Sequence, residues 1–167
     1  ADPQAGESER PVHEVTLTAY FLSKYEMTQG QWKLATRKEP SFYKCGQSQA
    51  GQKVTWLNPV EQISYEDCEK TMKQLGLQAP TEAQWEYSAR AGTGTAWWTG
   101  DTVESLQGAA NIADAFARKH VAAWTCETVV NDGRAVHAPV GSYRANAFGL
   151  HDTIGNVWEW CRDGLYS

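Results

Sequence analysis

From residue 95 to residue 167 the chain keeps neither a helical nor a strand period; glycine, polar residues and aromatics follow one another without repeat. A stretch of that length must fold as short strands and long loops. Its order has to come from side-chain anchors. The sequence supplies eight tryptophans, whose flat indoles need both a pocket and a polar partner for the ring N–H.

The first half is more regular. From His13 to Leu22, Val15, Leu17, Ala19 and Phe21 alternate with Glu14, Thr16, Thr18 and Tyr20, the period of a half-buried strand. Thr28-Gln29-Gly30-Gln31 has capping-box spacing and predicts a short helix through about Arg37, closed by Pro40. Residues 38–62 read as loop, broken by Pro40, Gly46, Gly51 and Pro59. Ser64-Tyr65-Glu66-Asp67 opens a second helix, with Tyr65, Cys68, Met72 and Leu75 on one face and Gly76 as its left-handed stop. Thr81-Glu82-Ala83-Gln84 repeats the capping box and opens a third helix, carrying Trp85 and Ala89 and ending at Gly92. Residues 1–11 are polar and read as a disordered or extended arm, leaving residues 12–167 as the domain. The order strand, helix, loop, helix, helix and irregular chain defines a loop-rich α+β class with little regular secondary structure.

Composition removes several functions. The 167 residues are the size of one domain, 41% hydrophobic and 21% charged, and the net charge of −5 offers no basic stripe for nucleic acid. No apolar run approaches the roughly 18 residues of a membrane span. The polar start Ala1-Asp2-Pro3-Gln4 shows no signal-peptide pattern, a picture a cleaved signal would also leave, and no Asn-x-Ser/Thr sequon occurs; the compartment stays open, with a cytoplasmic location slightly favoured over secretion. Cys45, Cys68, Cys126 and Cys161 form no Cys-x-x-Cys pair, which argues against a zinc or redox motif; they read as partly buried free thiols, with two disulfides in any of three connectivities as the alternative. The four histidines lack metal spacing, and Ser142 lacks His and Asp partners. Trp97-Trp98 reads as a core or interface pair before a sugar platform.

Three blocks carry more specific information. They are Asn58-Pro59-Val60 with Ile63-Ser64-Tyr65 and Cys68; Pro80-Thr81-Glu82-Ala83-Gln84-Trp85-Glu86-Tyr87-Ser88-Ala89-Arg90-Ala91-Gly92; and Pro139-Val140-Gly141-Ser142-Tyr143, Asn146-Ala147-Phe148-Gly149-Leu150 and Gly155-Asn156-Val157-Trp158-Glu159-Trp160-Cys161. With Pro11-Val12-His13-Glu14-Val15-Thr16-Leu17 and Tyr25-Glu26-Met27-Thr28, they span nearly the whole chain. In this order they resemble the formylglycine-generating-enzyme, or sulfatase-modifying-factor, family.

The resemblance implies a variant of the C-type lectin fold stabilised by calcium, a cation that takes six to eight oxygen ligands and suits carbonyls freed by irregular backbone. Carried over by position, one calcium site would use Asn111, the Ile112 carbonyl, Asp132 and the Arg134 carbonyl. A second would use Asp152, the carbonyls of Gly155 and Val157, and Glu159. Arg134 stands where an aromatic is common, and Asp152 where some members carry Asn. Trp158 falls in the segment bordering the family's active-site groove, as a candidate ligand-binding residue or a core anchor.

Catalytic members oxidise a substrate cysteine to formylglycine with copper and dioxygen, using a cysteine pair that follows an Arg-Gly-Gly-Ser-Trp block. That block does not occur here, and none of the four cysteines matches the pair. The expectation is a partial domain whose C-terminal third is missing. It would be non-catalytic as given, binding a protein, peptide or glycan as a ligand-binding or display scaffold, as in retroelement variable proteins. The alternative is one part of a copper-dependent oxidase, with copper bound only once the missing part is supplied. Unpartnered apolar faces should then drive self-association or recruit a second chain.

Overall fold

The computed structural model describes residues 13–121 and 125–163; the expected arm at 1–11 lies outside them. The elements are α1 (Gln29–Thr36), β1 (Ser48–Gln49), β2 (Gln52–Lys53), α2 (Tyr65–Gln74), α3 (Glu82–Arg90), a 3-10 turn (Val103–Leu106) and α4 (Ala115–His120). No helix among the described residues is long and apolar enough to cross a membrane.

The helix starts follow the capping residues. Thr28 and Thr81 each accept from the backbone N–H three residues on, while Gln31 and Gln84 reach back to the cap amide, so both boxes close. Ser64 caps α2, with Glu66 and Asp67 in its first turn, and Gly76 takes a φ of 70° after its end.

Three local expectations need correction. Residues 13–22 form no strand, and the β1–β2 hairpin is the only ladder among the described residues. Phe21, expected on the inner face, is fully exposed. Tyr20, expected outside, turns inward to donate to the Gln84 carbonyl and pair with the Ser88 hydroxyl. Inside the expected loop, residues 48–53 form a two-residue-per-strand hairpin, too short to show a period. Beyond residue 95, α4 forms after all: Asp114 accepts from Phe116 and Ala117, and Arg118, Lys119 and His120 sit at its negative end.

The core is small and unusually polar. Its buried hydrophobics are mostly alanines with Trp32, Val54, Leu106 and Val130, and beside them lie Asn58, Asn111, Asp114, His137, Asn146 and Asp152. Buried polar groups are tolerated only when hydrogen-bonded, and here they replace sheet ladders as the ties between segments. Asn58 accepts from Thr55 and donates to the His137 ring and carbonyl, fixing the loop on which α1 starts to the segment before Pro139. Asn146 donates to the Ser88 and Ala89 carbonyls at the end of α3 and accepts from Phe148 and Leu150. Both residues belong to the sequence blocks, which are therefore structural staples.

Candidate metal centres

The turn from Gly149 to Asn156 is built on left-handed backbone. Gly149, Asp152, Gly155 and Asn156 all have positive φ, and Asp and Asn are the side-chain-bearing residues that visit this region most readily. The geometry turns Asp152 inward, to 3% exposure, and lays Gly155 against Asn111 in an isolated parallel bridge. A Cβ on Gly155 would stand 1.9 Å from the Asn111 carbonyl oxygen, so only glycine permits the approach.

The first set of predicted ligands comes together. The Asp132 carboxylate accepts from Ile112 N at 2.8 Å and Arg134 N at 2.7 Å, drawing both segments around one acid. Asn111 spends its amide N–H groups on the Val136 carbonyl and Asn156 Oδ1, which leaves its own Oδ1 to other partners. The buried Asp114 accepts from Asp132 N, and the Tyr143 hydroxyl donates to the Asp132 carbonyl. Burial, reinforced by the Asp114 charge, pushes the Asp132 carboxyl up to about 6.

The second set gathers more negative charge than its own members carry. Asp152 Oδ2 accepts from Gly141 N at 2.6 Å, while its Oδ1 is buried with no hydrogen-bond partner. Glu159 accepts from the Trp85 indole at 3.0 Å. Burial raises the Asp152 carboxyl; Glu159, though exposed at the surface, is raised by the desolvation of its carboxyl against the protein, with the Asp152 charge adding to the effect. Glu26 joins them from the segment before α1: its Oε2 accepts from Asn156 Nδ2 at 2.6 Å, and its Oε1 is buried without a partner. Burial, then repulsion from Glu159 and Asp152, drives the Glu26 carboxyl up to about 9. The Thr153 hydroxyl nearby in sequence is likewise buried and unpartnered. Sequence reasoning missed Glu26, which is remote in the chain from the Gly-Asn-x-Trp-Glu segment and carries no spacing signal towards it.

Both sets present oxygen. Among the described residues, the carbonyls of Ile112, Arg134, Gly155 and Val157 accept no hydrogen bond, unlike the neighbouring Asn111 and Ala138 carbonyls. No three His, Cys, Asp or Glu side chains converge closely enough among these residues to hold an ion alone. A cation here would have to draw on backbone oxygens, as calcium does and soft-ligand metals do not. The orphaned acid oxygens and free carbonyls of the second set, and the free carbonyls and Asn111 Oδ1 beside Asp132 in the first, fit such an ion.

Trp158 is not a core anchor. It is fully exposed on the wall of an open groove of about 710 Å³, shared with Phe21, Leu34, Met72, Leu77 and Trp160. Trp97 and Trp98 are half-buried, Trp98 under the Arg144 guanidinium. Cys45, Cys68 and Cys161 are half-buried free thiols, and Cys126 is half-buried as well. Burial raises the Cys68 thiol, and burial with neighbouring acids raises Cys161 to about 11, so both are held in the protonated form.

A loop-rich α+β domain of this kind is shared with formylglycine-generating-enzyme-like proteins. Residues 1–167 match the sulfatase-modifying factor enzyme 1-like domain family, and the chain belongs to it. Among curated relatives, the formylglycine-generating enzyme of Mycobacterium tuberculosis is 37% identical over 112 residues, 65% of this chain and 34% of that protein. The chain spans about a third of the length of the curated enzymes of this kind that it matches. Among solved structures, PvdO from Pseudomonas aeruginosa superposes with a TM-score of 0.65 at 25% identity, covering 97% of this chain and 64% of that one. Treponema denticola variable protein 1 shares the fold at 22% identity and a TM-score of 0.61, covering 81% of this chain and 59% of that one.

Proposed function

We propose that this chain is a calcium-stabilised scaffold that binds or displays a protein, peptide or glycan ligand and performs no oxidation by itself. The observation carrying the calcium reading is the pairing of two unpartnered buried acid oxygens, Asp152 Oδ1 and Glu26 Oε1, with the free Gly155 and Val157 carbonyls at the second cluster. Asn111, Ile112, Asp132 and Arg134 would hold one ion. Asp152, Gly155, Val157 and Glu159 would hold the other, with Glu26 adding charge beside it. Bound calcium supplies fixed positive charge that neutralises these acids and clamps irregular backbone. The exposed wall containing Trp158 and Trp160 provides the apolar, indole-bearing surface a ligand would use.

Calorimetric titration with calcium, after exhaustive chelation, tests the scaffold reading; two ions per chain and a higher melting temperature are expected. A melting temperature indifferent to calcium and chelator would refute it. Ligand binding is tested on peptide and glycan arrays, where a binder lost in Trp158→Ala is the expected result.

The alternative, part of a copper-dependent oxidase acting on a sulfatase cysteine, draws on the identity to curated formylglycine-generating enzymes. The protonated state of Cys68 and Cys161 counts against these thiols as a Cu(I) site, which requires thiolates. Stoichiometric Cu(I) uptake with conversion of a Cys-x-Pro-x-Arg peptide would establish the oxidase in place of the scaffold.

A further inference from the structure

Resting on the calcium reading above, the geometry points to Asn156 as a positioning residue that couples the two centres, so that filling either one strengthens the other. Asn156 is the one side chain hydrogen-bonded to members of both clusters among the described residues. Its Oδ1 accepts from Asn111 Nδ2 at 3.2 Å and from Ala138 N at 2.8 Å. Its Nδ2 donates to Glu26 Oε2 at 2.6 Å and, more weakly, to the Ala138 carbonyl at 3.4 Å. The backbone adds a third link, Asn156 N donating to the Asn111 carbonyl at 2.9 Å.

Each bond has a consequence for a ligand. Holding Asn111 Nδ2 fixes which end of that amide can serve the first cluster, because the donor end is spent on Asn156 and Val136. Holding Glu26 Oε2 leaves Oε1, buried and unpartnered, as the Glu26 oxygen free for an ion. Asn156 also lies between Gly155 and Val157, whose carbonyls belong to the second set, and its left-handed φ of 61° shapes that turn. Gly155 in turn rests directly on the Asn111 backbone. The first cluster therefore cannot order Asn111 without ordering residues 155–157, and the reverse holds equally. Ordering done by the first ion need not be done again by the second, which is positive cooperativity by pre-organisation.

The test uses the whole chain, calcium calorimetry, and terbium luminescence sensitised by Trp85, which is hydrogen-bonded to Glu159. Asp132→Asn disables the first centre and Glu159→Gln the second. In each variant the remaining ion should bind about fivefold or more weakly than in the parent, within the range of measured site–site coupling. Adding Asn156→Ala removes the side-chain links and leaves the backbone ones, so disabling one centre should then change affinity at the other by less than half as much on a logarithmic scale. If Asn156→Ala does not fold, Asn156→Gly, which removes the same side-chain links and adopts the φ of 61° without strain, takes its place. Remaining affinities within about twofold of the parent overturn the coupling and leave the calcium reading standing. No calcium uptake by the parent chain overturns the reading on which it rests.

Discussion

Replacing Glu26 by Gln should have opposite effects with and without calcium. In the metal-free protein the Glu26 carboxyl is raised from its usual 4.5 to about 9. A group with a raised folded pKa contributes stability that is fully present below 4.5 and is lost as pH rises through about 9. At about pH 8 the folded chain must keep a proton that the unfolded chain releases, which costs up to about 5 kcal/mol at 1.36 kcal/mol per pH unit. Gln removes that cost and keeps an acceptor for Asn156. It also places an N–H where Oε1 has no partner, a loss of about 1–3 kcal/mol. The metal-free variant should therefore be about 2–4 kcal/mol more stable than the parent near pH 8. Well below pH 4.5 the gain should vanish, because the carboxyl is then protonated in both states, and near pH 5 only a small part of it should remain. With saturating calcium the missing negative charge weakens the second centre, and the variant should lose a large part of the roughly 2.7 kcal/mol that ligand at a hundredfold excess over Kd supplies. Urea denaturation followed by tryptophan fluorescence, at pH 5 and 8 with chelator or calcium, resolves all four cases. Equal destabilisation in every condition would refute the reasoning and make Glu26 an ordinary packing residue.

Other perturbations test separate parts of the structure. Gly155→Ala forces a methyl group to within 1.9 Å of the Asn111 carbonyl at a positive φ, and should cost about 3 kcal/mol or more while abolishing calcium uptake; denaturation and calorimetry read both. Asn146→Ala removes two donors from the end of α3 and two acceptors from the 148–150 turn, and should cost about 2–4 kcal/mol with calcium binding retained. The exposed groove should make the chain associate with concentration, as read by sedimentation velocity, and the double substitution Phe21→Ser, Trp158→Ser should shift it towards monomer. A parent chain that stays monomeric at high concentration would remove that expectation.

Helix starts were legible because capping is local. A Thr or Ser side chain and a Gln three residues on satisfy each other within one turn, whatever the rest of the chain does. The loop-rich class was legible for the same reason, since absence of period is itself a local property. The strand expected at residues 13–22 was not realised: alternation marks a face only when a partner strand supplies hydrogen bonds, and the structure sends Tyr20 to α3 instead. α4 escaped notice because a six-residue helix is too short to show a period.

Motifs read against a family were sufficient to nominate eight ligand positions, since a run such as Gly155-Asn156-Val157-Trp158-Glu159 keeps its backbone carbonyls and acid in fixed local register. The sequence thus determined the first three helices and the irregularity of the rest. Tertiary structure alone decided that Glu26 would sink beside Asp152 and Glu159, that Asn156 would bridge two clusters, and that Trp158 would stand in the open. Those outcomes depend on which distant segments meet. Here the meeting is arranged by buried asparagines, whose four hydrogen-bonding positions record nothing of their partners in the linear chain.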